Sequence, residues 1–121
     1  MNTAPGAKLA PPLTAGDAQA LAAFVDRLRR ELRDSVVDIR LFGSKARGDA
    51  TVDSDIDVLV IVQPEADRIR LETAVSDIAF DVSLDHAVHI SPCVLTTRAL
   101  NDPVWRETPF LRAIEREGLP V

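Results

Sequence analysis

The chain predicts an α/β (α+β) fold in which a small mixed β-sheet packs against helices, and three patterns carry that reading. A leading segment with helical spacing of apolar residues comes first. Two apolar strands follow, Val36 to Phe42 and Asp55 to Val62, joined by a connection too short for a parallel crossover. A strand–helix–strand unit then runs from the second of these through a helix to Val88–Leu95. The first pair is therefore expected to be antiparallel, and the later crossover parallel and right-handed.

Each element has a local reason. Residues 1–13, with Pro5, Pro11 and Pro12, read as a flexible leader, and residues 14–121 as one domain. Thr14 is placed to cap a helix, with Asp17 three residues later in a variant of the capping box. Ala18, Leu21, Ala22, Val25, Leu28 and Leu32 trace one face of that helix. Arg27, Arg29, Arg30 and Arg33 gather in its last turns, where they complement the dipole and form a solvated face. Gly43 ends the first strand. The Val/Leu/Ile run of the second implies burial on both sides of the sheet.

The next helix is expected from about Glu65, with Leu71, Ala74, Val75, Ile78, Ala79 and Val82 on its buried side. Asp77 and Asp81 then face solvent. The third strand begins near Val88, so parallel pairing brings its start to the same end of the sheet as Asp55 and Asp57. Residues 97–121 predict a short helix, a second around Phe110 to Glu117, and Gly118 as its terminator.

Composition narrows the function. A length of 121 residues suits one domain with one core. The net charge of −5 speaks against a nucleic-acid binder, which carries a basic surface. It leaves room for ATP, whose charge a metal and a few local arginines can meet. Cys93 is the only cysteine, so no internal disulfide forms; it reads as a small core residue in a reducing compartment. The start lacks a continuous apolar signal region, and no run approaches a membrane span. These features predict a cytoplasmic protein.

The chemistry concentrates in Gly43-Ser44-Lys45-Ala46-Arg47-Gly48 followed by Ser54-Asp55-Ile56-Asp57. Strand side chains alternate faces, so Asp55 and Asp57 point the same way and can share a hard divalent cation. The small residues Gly43 and Ser44 form a turn that can offer backbone N–H groups and a hydroxyl to a phosphate. Two look-alikes fail. The Gly43–Gly48 spacing imitates a P-loop, but Asp49-Ala50 stand where Lys and Ser/Thr are required. Asp53-x-Asp55-x-Asp57 imitates an EF-hand, but Val58 and Pro64 replace its Gly and Glu. His86 and His89 form an H-x-x-H pair without further zinc ligands.

These residues resemble a known family. Ser44, ten intervening residues and Asp55-x-Asp57 match the G-S-x10-D-x-D signature of the DNA polymerase β-like nucleotidyltransferase superfamily. The shortness of the chain is similar to its minimal nucleotidyltransferases. The resemblance is strong over residues 36–62 and looser to the C-terminus, and Arg47-Gly48 fit the common G-S-x-A-R-G form. It implies a nucleotidyltransferase-like fold and transfer of AMP from ATP. Asp55 and Asp57 would be the catalytic acids and Mg²⁺ ligands, and Gly43, Ser44 and Arg47 would bind the nucleotide. Lys45 is a further candidate to offset phosphate charge.

One departure stands out. Many members of that superfamily place a third carboxylate early in the third core strand. Here the strand reads Val88-His89-Ile90-Ser91-Pro92-Cys93, with Asp85 just upstream as the nearest acid. A second metal and a carboxylate base therefore lack a residue; His89 is either a proton acceptor or structural. The resemblance extends to the antitoxin of HEPN–MNT pairs, which adds AMP to a tyrosine of a HEPN toxin. That implies a toxin partner and a homo- or hetero-oligomer. Small-molecule nucleotidylation, as in aminoglycoside-modifying relatives, and an inactive nucleotide- or protein-binding module are the alternatives.

Overall fold

The structure is a computed structural model and describes residues 13–48, 50–51, 53–64 and 67–121. The predicted leader, apart from Leu13, and Glu65 lie outside these residues. Helix α1 spans Ala15–Leu32. Its capping box forms as expected: Asp17 N–H donates to Thr14 Oγ1 at 3.0 Å, and Thr14 N–H donates to Asp17 Oδ2 at 3.1 Å. A single 3₁₀ turn, Arg33–Ser35, leads into strand β1, Val36–Phe42.

The buried face of α1 is rotated from the one its apolar spacing suggests. Asp17, Ala20, Leu21, Phe24 and Leu28 are buried, while Ala18 and Ala22 are exposed. Phe24 is the helix's largest apolar side chain, and its burial dominates the orientation. Ala18, Leu21, Ala22 and Val25 instead line an open apolar groove with Leu13 and Val121.

Gly43-Ser44-Lys45-Ala46-Arg47, expected as a turn, is a short helix, α2, Gly43–Arg47. Gly48 closes it in the left-handed region at φ 83°, donating its N–H to the Ser44 carbonyl at 2.9 Å. Strand β2, Ile56–Val62, starts one residue later than expected, with Asp55 just outside it. Val58, Leu59, Val60 and Val62 are fully buried, as a strand covered on both faces requires.

Helix α3, Arg68–His86, buries Leu71, Val75, Ile78, Ala79 and Val82. Asp77 and Asp81 are exposed, as expected. Strand β3, Ile90–Thr96, starts two residues later than predicted because its approach is used to cap α3. Ala87 turns left-handed at φ 54°, Val88 N–H donates to the Ser83 carbonyl, and Ile90 N–H donates to Ser83 Oγ at 3.0 Å. Three short helices follow: α4, Thr97–Asn101; α5, Pro103–Arg106; and α6, Pro109–Glu117. Gly118 ends α6, in extended rather than left-handed backbone at φ −67°.

A final two-residue strand, β4, Leu119–Pro120, has no counterpart in the sequence reading. The sheet order is β3-β2-β1-β4. β1 and β2 are antiparallel and β2 and β3 parallel, as the connection lengths require, while β4 adds antiparallel to β1. One core holds Ile56, Val58, Val60 and Val62 against α1 and α3. The other holds Leu59 and Ile61 with Leu95 and with Leu111 and Ile114 of α6. The odd-numbered residues of β2 therefore share a face, and that face carries the acids.

Candidate active site

The antiparallel register places Phe42 opposite Asp57, so the residue after β1 meets the start of β2. This brings the two halves of the sequence signature together. Gly43 has φ 76°, and a Cβ at that position would run into the Asp57 carboxylate. Only glycine supplies both the backbone angle and the room. Ser44 follows in the first turn of α2, whose N-cap, Phe42, makes no side-chain capping bond. The first amides of a helix have no acceptor within the helix, so the Gly43 and Ser44 N–H groups point out of its start.

Asp55 and Asp57 stand close enough to repel. The Asp57 carboxyl is held above its ordinary pKa, first by burial and second by the Asp55 charge. The positive charges of Arg47 and His89 act in the opposite direction and do not cancel those two. A partly desolvated carboxylate beside a second negative charge suits a divalent cation, which would relieve the repulsion. The residues present thus fit a metal ion, with the Gly43 backbone directly beside the Asp57 carboxylate.

The basic residues of α2 part company. Lys45, expected as a candidate phosphate partner, is completely buried, and its Nζ meets Asp17 Oδ2 of α1 at 2.7 Å. It tethers α2 to α1. The helical spacing of α2 turns Lys45 inward and away from Arg47, which the flat reading of a turn could not show. Arg47 is partly exposed and lies 3.6 Å from Glu117 of α6, with its charge felt at Asp57. A cleft of about 210 Å³ between α2 and α6 runs from Gly43 and Arg47 to Phe110 and Glu117.

No third carboxylate among the described residues joins the pair. Among the described residues, no group of three or more His, Cys, Asp or Glu side chains forms a metal-binding cluster. Asp85 is exposed in the last turn of α3, and Ser91 is the register partner of Asp57. His89 does reach the site: its Nδ1 lies 2.8 Å from Asp55 Oδ1. Cys93 packs against the α6-side core, and burial raises its pKa. Among the described residues, no helix is long and apolar enough to cross a membrane.

Comparison with known proteins identifies the family and the fold. The nucleotidyltransferase domain family matches residues 22–115. A candidate protein adenylyltransferase of Methanocaldococcus jannaschii is 32% identical over 101 residues, covering 83% of this chain and 92% of that protein. A second from the same organism is 34% identical over 83 residues, covering 67% of this chain; the match spans only 56% of that relative's length. The solved structure of a candidate minimal nucleotidyltransferase superposes with a TM-score of 0.52 at 25% identity, covering 86% of this chain and 90% of that one. A toxin–antitoxin structure with AMP-PNP shares the fold, with a TM-score of 0.52 at 20% identity, over 80% of this chain and 68% of that one. By sequence and by fold, this chain belongs to the nucleotidyltransferase domain family.

Proposed function

We propose that this chain is a protein adenylyltransferase acting as an antitoxin, moving AMP from ATP to a hydroxyl of a partner protein. The partner in this reading is a HEPN-type toxin, the acceptor a tyrosine, and the compartment the cytoplasm. The observation that carries the reading is the Asp57 carboxylate set directly against the Gly43 backbone, with Asp55 two residues before it and its charge felt at Asp57. Asp55 and Asp57 would hold Mg²⁺, Gly43 and Ser44 would bind phosphate oxygens, and Arg47 would offset their charge. When bound, the ion would neutralise charge developing between the α-phosphate and the departing pyrophosphate.

What the chain itself contributes is positioning. The β1–β2 register fixes Gly43 relative to Asp57 before any ligand arrives, which supports a preset phosphate-binding backbone. The acceptor half is less built. Asp55 and His89 are largely exposed, so the metal edge is open to a docking partner that supplies the missing wall. Two observations support a protein acceptor: the relatives named as candidate protein adenylyltransferases, and the shared fold with a toxin–antitoxin structure.

The test is incubation of the chain with labelled ATP, Mg²⁺ and the protein encoded beside it. The expected product is a partner heavier by about one AMP, or by a short series of AMP units, on a tyrosine, with one pyrophosphate released per addition. Label found only on small molecules, with all partner protein unmodified, would move the reading to a small-molecule enzyme. Binding of ATP without transfer would leave a nucleotide-binding module.

A further inference from the structure

We infer that His89 is a positioning residue that orients Asp55 toward the metal, in a place where the sheet offers no third carboxylate. The inference rests on the proposed metal site. Its first support is register. β2 and β3 run parallel with Ile56 beside Ile90 and Asp57 beside Ser91, so the residues just before them, Asp55 and His89, are neighbours. Ile56 N–H donates to the His89 carbonyl at 2.9 Å, which fixes the two backbones at that point.

Alternation supplies the second support. Ile90 belongs to the core against α1 and α3, whereas Leu95 belongs to the α6-side core with Leu59 and Ile61. His89 thus has the parity of the face that carries Asp55 and Asp57. Its Nδ1 lies 2.8 Å from Asp55 Oδ1, the length of a charge-assisted hydrogen bond.

That contact separates positioning from two other roles. The contact engages Nδ1 with a carboxylate, and among the described residues no group of three His, Cys, Asp or Glu side chains forms that would count His89 as a third ligand beside the acids. A purely structural role is also a poor fit. The His89 side chain is 69% exposed and that of Asp55 49%, and exposed pairs add little to stability. A donor that occupies one carboxylate oxygen leaves the other aimed at the cation, as outer-shell partners of metal ligands do.

The experiment measures Mn²⁺ affinity of the whole chain with α,β-methylene-ATP, by electron paramagnetic resonance, beside a thermal melt of each variant. His89→Ala should weaken Mn²⁺ by about 10- to 100-fold, the usual cost of losing such a partner. His89→Asn, whose amide nitrogen can stand where Nδ1 stood, should restore most of that loss. If His89→Asn binds as poorly as His89→Ala, the ring itself is required and the inference falls. If His89→Ala loses Mn²⁺ and melts early, the role is structural and it falls again. Asp57→Asn separates the two levels. Wild-type affinity in His89→Ala with lost affinity in Asp57→Asn overturns only the role of His89. Wild-type affinity in Asp57→Asn overturns the metal site and this inference with it.

Discussion

Two charged contacts of nearly equal length flank the same site and differ in almost everything else. Lys45–Asp17 is 2.7 Å long with side chains 0% and 7% exposed; His89–Asp55 is 2.8 Å long with side chains 69% and 49% exposed. The first joins α2 to α1 next to Gly43 and Ser44, and the second joins the residue just before β3 to Asp55 at the exposed edge. Burial decides what each can do. Charges removed from water must stay paired, so the buried contact is bound up with the integrity of the fold. Charges left in water are paired weakly, so the exposed contact can govern the direction of a carboxylate without holding the protein together.

The sharpest way to break this comparison is to remove one partner of the buried pair. Lys45→Ala would leave Asp17 with a carboxylate in an apolar setting, and its stability loss should be about 3–5 kcal/mol. Chemical denaturation measures it directly. A Lys45→Met, Asp17→Asn double variant should lose clearly less than Lys45→Ala alone, because no charge is stranded and Asn can still accept from Thr14 N–H. Equal losses in both proteins would mean that Lys45 acts through packing, and the contrast between the two contacts would rest on volume.

A second prediction concerns the acid that both halves of the site affect. Asp57→Asn should cut AMP transfer by at least about a hundredfold, the scale of losing an electrostatic catalytic contact. The same change should stabilise the metal-free protein at neutral pH, because it removes a carboxylate that burial and Asp55 both oppose. The pH dependence has a definite sign. Asp57 binds its proton more tightly folded than unfolded, so the stability it contributes is complete below its ordinary value of 3.8. That contribution is lost as pH rises through the raised folded value. Melting temperatures of wild type and Asp57→Asn without metal should therefore converge in acid and separate toward neutrality. Metal affinity should move oppositely, falling as pH drops through the same value.

Much of this contrast was hidden from the sequence, for reasons that differ by residue. Connection lengths made the strand pairing legible, and pairing alone brought Gly43 to Asp57. The spacing of Asp55 and Asp57 made the acid pair legible because strand alternation has only two faces. Lys45 was not legible. Its burial depends on α2 being a helix and on α1 presenting Asp17, two facts that no local pattern links. The face of α1 was misjudged for the same reason: apolar spacing favoured Ala18 and Ala22, whereas packing favoured Phe24. β4 was missed because a two-residue strand has no period. The H-x-x-H spacing of His89 lacked further zinc ligands and left its role open between proton acceptor and structural residue; its neighbour, Asp55, emerged from the parallel register.

The smallest expected effect completes the contrast. His89→Ala should change the unfolding free energy of the metal-free protein by less than about 1 kcal/mol, the range of exposed ion pairs. Both side chains keep much of their hydration, so losing the partner strands no buried charge. Denaturation of wild type and variant in EDTA provides the measurement, and adding Mn²⁺ with α,β-methylene-ATP then turns it into a discriminating one. Ligand stabilises a fold according to its affinity, so a variant that binds metal more weakly gains less from the same ligand concentration. Matching curves in EDTA that separate only with ligand present would assign His89–Asp55 to the site and Lys45–Asp17 to the scaffold. A large loss already present in EDTA would make the two contacts alike, and burial would no longer divide their roles.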